Sequence, residues 1–230
     1  MTLTTARGPL GPDPAGRFNP AIAPASTTYV EPHLRRVRAE LAGRAVIDTD
    51  SVLIVHRPGH PLTYAFPPEA VGDLPREPEP EAPGWVRVPW DAVDAWFEEG
   101  RRLVHSPPNP YHRVDCRPTE RHLRVEVAGT VLVDTDDTVI LFETALEPKL
   151  YVARAHVRSD ILHRSDTSTY CNYKGLASYW SASIGGTVVD DVAWSYDDPL
   201  PESSPIAGHL SFDPERCSVT AELPAPAALP

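Results

Sequence analysis

The sequence predicts a mainly β protein made of two antiparallel domains in tandem, and three observations carry that reading. First, 27 of 230 residues are proline, more than twice the usual ~5%, and prolines cannot be housed in helix interiors or central strands. Second, the chain repeats itself. With Arg38 set opposite Arg124 and the offset held to Val71 opposite Val157, nine pairs are identical, where chance gives roughly two. They include Glu40 with Glu126, Ala42-Gly43 with Ala128-Gly129, and Asp48-Thr49-Asp50 with Asp134-Thr135-Asp136. Third, Leu123, Val125 and Val127 alternate with Arg124 and Glu126, the period-2 pattern of a strand with one wet face.

Taken in order, residues 1–30 are rich in Pro, Ala, Gly and Thr, too poor in large apolar groups to offset the entropy of ordering, and read as a flexible arm. A diverged first repeat follows over 31–118 and a complete second repeat over 119–223; the tail 224–230 reads as flexible. Each copy is expected to run strand, Ala-Gly turn, strand, Asp-Thr-Asp turn, strand, as antiparallel hairpins. Short strands then follow at Thr63–Pro67 and Leu150–Val152. The run PREPEPEAPG from Pro75 to Gly84 reads as a stiff solvated connector. In DAVDAWFEEG, Asp91 can cap, Val93, Trp96 and Phe97 share a side, and Gly100 can terminate, so one short helix is expected in the first copy. In the second copy, ASYWSASI and TVVDDVAWSY face each other across Gly185-Gly186, a favoured hairpin dipeptide.

A net charge of −11 and a pI near 5.2 argue against binding to nucleic-acid phosphates or an anionic membrane, which need clustered Lys and Arg. No run of ~18 apolar residues suits a membrane helix, and the first residues lack the apolar core of a secretion signal. A cytoplasmic protein is expected. Cys116, Cys171 and Cys217 form no Cys-x-x-Cys pair, and the nine histidines form no ligand pair, so neither a metal nor a cofactor is implied. The partner expected is a small molecule. Two copies in one chain can pack as a pseudo-dimer, giving a monomer, while exposed strand edges leave a weak homodimer open.

The second half resembles the family known as domain of unknown function 427. The resemblance rests on Val125-Glu126-Val127-Ala128-Gly129, Phe142-Glu143-Thr144, Thr169-Tyr170-Cys171-Asn172-Tyr173-Lys174-Gly175, Tyr179-Trp180, Ala193-Trp194-Ser195-Tyr196, Asp198-Pro199, and Pro205-Ile206-Ala207-Gly208 leading to Pro214-Glu215-Arg216. It covers about residues 122–220, and the first half looks like a diverged second copy without a Cys-x-Tyr-Lys-Gly segment. What the resemblance implies is a β-tent-type antiparallel domain in each copy, similar to proteins that bind zinc with two Cys-x-x-Cys pairs, which are missing here. The family sometimes bears a nucleotidyltransferase-like label. Such enzymes pair a Gly-Ser turn with carboxylates that hold Mg²⁺ on phosphates. Asp48 and Asp50, like Asp134, Asp136 and Asp137, have no Gly-Ser before them and read as turn residues.

Candidate chemistry gathers in the second copy. Lys174 and Cys171 lie in one short segment, where a neighbouring cation can activate a thiol and a partly buried lysine can form a Schiff base or donate to an oxyanion. The competing reading packs Cys171 as a small apolar residue and pairs Lys174 with a surface carboxylate. Glu143 stands where the first copy has Arg57, and can serve as acid or base, or as a solvated rim. Tyr151, Tyr173, Tyr179, Trp180, Trp194 and Tyr196 offer aromatic walls, for a pocket or for a core. Arg154, opposite Pro68 of the first copy, could hold a carboxylate or phosphate. His156, His163 and His209 are near enough in sequence to serve Cys171 as a base, without a spacing that selects one. The functional expectation is a metal-independent small-molecule enzyme in the second repeat, with a non-catalytic ligand- or partner-binding module as the alternative.

Overall fold

The computed structural model describes residues 11–13 and 28–225. Among these the chain is β-strand joined by loops and short 3-10 turns, and it divides between His112 and Arg113 into two compact units. Most of the expected arm and the end of the expected tail, residues 226–230, lie outside the described residues; Tyr29 and Val30 are already paired in a strand.

The first unit contains β1 (Tyr29–Pro32), β2 (Val37–Leu41), β3 (Arg44–Thr49), β4 (Leu53–His56), β5 (Thr63–Ala65), β6 (Glu77–Pro78), β7 (Val86–Arg87), β8 (Ala95–Glu98) and β9 (Arg101–Leu103). Its two larger sheets run β1-β4-β5 and β3-β2-β8-β9. Val37 and Ala39 turn inward while Arg38 and Glu40 do not, and β2 reverses into β3 through Ala42 and Gly43 at φ 50° and 73°. Two successive positive φ angles match the right-handed twist of paired strands. Val37, Ile47, Ile54, Tyr64, Phe66 and Trp96 share one apolar cluster drawn from both sheets.

Two expectations change here. The Asp-Thr-Asp segment does not close a hairpin: β3 pairs with β2, whereas β4 pairs with β1 and β5. It is a corner between sheets, with Ser51 N–H donating to Thr49 Oγ1 at 3.0 Å. The helix expected over DAVDAWFEEG shrinks to one 3-10 turn, Trp90–Ala92, and Ala95–Glu98 extends as β8 against β2. Alternation wins because Trp96 and Glu98 are both buried. The Glu98 carboxylate is satisfied there by His33 at 2.9 Å, Arg35 at 2.6 Å and the Tyr64 hydroxyl at 2.5 Å.

The second unit repeats this plan with β10 (Val114–Thr119), β11 (Leu123–Val127), β12 (Thr130–Thr135), β13 (Thr138–Glu143) and β14 (Lys149–Tyr151), and adds β15 (Leu162–Cys171), β16 (Gly175–Ile184), β17 (Thr187–Ser195), β18 (Leu210–Phe212) and β19 (Ser218–Ala221). Sheets β10-β13-β14 and β12-β11-β19 correspond to β1-β4-β5 and β3-β2-β8. Details recur at the same offset. Ala128 and Gly129 have φ 45° and 75°, the ladder slips between Val125 and Glu126 as it does between Ala39 and Glu40, and Asp137 N–H donates to Thr135 Oγ1. The added sheet runs β15-β16-β17-β18, its β16–β17 hairpin closing across Gly185 and Gly186 with Ile184 opposite Thr187. The sheet β10-β13-β14 has apolar clusters on both faces, Ile140 and Leu150 in one and Leu141 and Tyr151 in the other. Strand β10 straddles position 118 and, paired along its length with β13, belongs with this unit.

Candidate functional site

Glu143 ends β13, on the same face as Leu141 two residues earlier. Lys174 sits in the tight connection from β15 to β16, closed by the pair Cys171 and Gly175. Gly175 has φ +98° and lies against Asp198 and Leu200, and Leu200 N–H donates to the Lys174 carbonyl at 3.0 Å. The backbone at Lys174 is therefore pinned by the Asp198-Pro199-Leu200 return. Its Nζ donates to Glu143 Oε2, with the two side chains only 11% and 8% exposed. A buried ion pair of this kind holds its geometry because separating the partners strands a charge out of water.

This pair forms the floor of a pocket of about 250 Å³. Tyr151, Tyr179, Trp194 and Tyr196 make its walls, and Leu146, Glu147 and Lys149 line it as well. The walls are braced. Trp194 Nε1–H donates to the Tyr151 hydroxyl at 3.0 Å, with the rings edge-to-face at 86°, and the Lys174 ammonium stands 6.0 Å from the Tyr196 ring centroid. Burial raises the Tyr151 and Tyr196 hydroxyls above the ordinary phenol range, so both keep their protons at neutral pH and can donate. Lys149 lies 5.8 Å from the Trp194 ring centroid.

Of the residues singled out in the sequence, the fold thus brings Lys174, Glu143, Tyr151, Tyr179, Trp194 and Tyr196 together. It does not bring in the rest. Cys171 and Tyr173 are not in the pocket lining; they pack against the apolar cluster that includes the pocket residues Leu141, Tyr151 and Tyr196. Trp180 follows Tyr179 directly and so points to the other face of β16, where its Nε1–H donates to Ser195 Oγ at 3.0 Å. Arg154 joins it there, 4.1 Å above its ring and 3.3 Å from Asp197, which makes it a brace and removes it from the pocket. His163 meets Ser183 at 3.4 Å and His156 meets Asp137 at 3.0 Å, neither at the pocket. Lys149 and Leu141 were missed, although each lies two residues from a named candidate on the same strand, which puts them on the same face.

The aspartates of the Asp-Thr-Asp corner are engaged on the surface, Asp136 by His122 at 2.6 Å and Asp134 by Arg124. Among the described residues, no group of three or more His, Cys, Asp or Glu is arranged to hold a metal ion. In the first unit, Arg57 occupies the place of Glu143 and is bound by Glu79, Glu81 and Thr63.

Residues 115–223 match the model of the family described as Domain of unknown function (DUF427), so the resemblance holds over the second half and takes in the whole pocket. No curated protein matches the chain. Among the described residues, no helix is long and apolar enough to cross a membrane.

Proposed function

We propose that the second unit takes a small, flat organic molecule into the Lys174–Glu143 pocket and acts on it by proton transfer without a metal. The observation that carries this reading is the pairing of an ammonium and a carboxylate, both nearly buried, at the floor of an aromatic-walled hollow. Such a floor presents a donor and an acceptor side by side. A ligand that offers an acceptor next to an acidic N–H, O–H or C–H can exchange with it: Glu143 takes the proton while Lys174 donates to the oxygen or nitrogen on which charge develops. The walls favour a planar ring, and the balanced charge of the floor disfavours a ligand with net charge. Because Cys171 lies outside the pocket, the thiol has no part in this chemistry.

The existing Lys174–Glu143 hydrogen bond favours a second reading, in which the pocket binds its ligand without turning it over, since a mutually satisfied pair needs no further partner. Variants separate the two. Under the catalytic reading, Lys174→Ala and Glu143→Gln abolish turnover while Cys171→Ala and Trp180→Ala retain it; under the binding reading, Trp194→Ala weakens binding and no turnover is found in any form. Full activity in Lys174→Ala defeats the first reading. We also propose that the two units descend from one duplicated unit, supported by the matched sheet orders, ladder slips and left-handed Ala-Gly turns.

A further inference from the structure

The first unit has a hollow of its own, about 230 Å³, lined by Leu62, Tyr64, Val88, Trp90, Trp96 and Pro107. Register explains why it exists on a different face from the pocket of the second unit. On β5, Tyr64 lies opposite Ile54 and Ala65 opposite Leu53; on β14, Leu150 lies opposite Ile140 and Tyr151 opposite Val139. The tyrosine is one residue out of step between the units, and in a strand a one-residue shift moves a side chain to the other face. Tyr64 therefore turns toward Trp96, at a ring-centroid distance of 6.1 Å, whereas Tyr151 turns toward Trp194. Ala65, in the place of Tyr151, brings no ring to the corresponding face.

The walls of this hollow present carbon. The Trp96 Nε1–H is spent on the Trp90 carbonyl at 2.8 Å, and the Tyr64 hydroxyl on buried Glu98 at 2.5 Å. Trp90 and Trp96 stack at 5.1 Å and 17°, and Trp96 stacks in turn with Phe66 at 6.1 Å and 15°, so near-parallel aromatic rings are layered at the side of the hollow. Thr63 also lines the hollow, but its hydroxyl accepts from Arg57 at 3.0 Å on the other face of β5, and Ser106 is the further hydroxyl-bearing residue of the lining. Protein interiors are close-packed, and apolar hollows of this size take up apolar ligands; a charge placed there would find no counter-ion.

We propose that this hollow is a second ligand site, independent of the Lys174–Glu143 pocket, for an uncharged planar aromatic molecule of indole or phenol size with at most one hydrogen-bonding substituent. The test is a titration of the full chain with indole, followed through the NMR signal of the Trp96 side-chain N–H. The signal is expected to shift saturably in the wild-type chain and in Trp194→Ala, which alters only the second unit's pocket. Val88→Phe, which fills the hollow, and Trp90→Ala, which removes a wall but keeps the carbonyl that holds Trp96, are each expected to weaken the response by at least about tenfold. Should Val88→Phe fail to fold, Trp90→Ala alone decides. A wild-type signal that does not move up to the solubility of indole overturns the proposal, as does a response abolished by Trp194→Ala or unchanged in Trp90→Ala.

Discussion

Removing one partner of the Lys174–Glu143 pair is expected to destabilise the second unit far more than removing both. With the side chains 11% and 8% exposed, Lys174→Met leaves the nearly buried Glu143 carboxylate without the ammonium that pairs with it, a situation that costs about 3–5 kcal/mol in comparable buried pairs. For a unit of this size, with a urea m-value of roughly 1–2 kcal/mol/M, a loss of ~3 kcal/mol moves the midpoint by roughly 2 M. The double variant Lys174→Met with Glu143→Gln strands no charge. It should recover to within about 1 kcal/mol of wild type, because a buried ion pair and a well-packed neutral pair are nearly equivalent in net stability. The assay is urea unfolding of all four forms at neutral pH, analysed as a double-mutant cycle. A Lys174→Met cost below about 1 kcal/mol, the range of exposed surface pairs, would refute the buried floor on which the pocket argument rests.

Other outcomes follow from the same structure. Burial holds the fully buried His56 below its usual pKa of 6.5 against the opposing pull of Glu31, so its share of stability is complete above about pH 6.5 and is lost as the pH falls through the lowered folded value, where the unfolded chain binds the extra proton. His56→Phe, which installs the residue found at position 142, should flatten that slope in thermal melts between pH 7 and 5; an unchanged slope assigns the acid sensitivity elsewhere. Gly175→Ala places a Cβ at φ +98°, where its contacts are ordinary but the backbone is strained, and should cost about 1–3 kcal/mol and loosen the Lys174 loop; a neutral substitution would mean that the loop is not pinned. Burial pushes the thiols of Cys116 and Cys217 up to about 11, so thiolate at pH 7.5 is below roughly 10⁻³ of either. Iodoacetamide should leave both intact in the native chain, and labelling at the unfolded rate contradicts their burial.

The strands of both repeats were legible because Leu123, Val125 and Val127 alternate with charged neighbours and because Ala-Gly marks the same reversal twice. What lay beyond local pattern was misread. Asp-Thr-Asp is equally suited to a hairpin or to a corner, and which sheet the next strand joins depends on residues far along the chain. Val93, Trp96 and Phe97 have helical spacing, yet Glu98 is the residue that decides, through partners 34 to 65 residues away that no spacing rule connects to it. Lys174 and Glu143 were each visible as candidates. Their contact spans 31 residues and depends on the return through Leu200, so the sequence could name the two groups but not join them. Period 2 does separate Tyr179 from Trp180, and it is the same rule that places Tyr64 and Tyr151 on different faces of matching sheets.

That the Lys174–Glu143 pocket holds a small organic ligand can be decided by incubating the full chain with a cell metabolite extract, desalting it, and identifying retained molecules by mass spectrometry, beside the Lys174→Met/Glu143→Gln double variant. The wild-type chain is expected to retain a planar molecule without net charge that the folded double variant does not. Identical retention by both chains, or no molecule retained by the wild type, contradicts the claim.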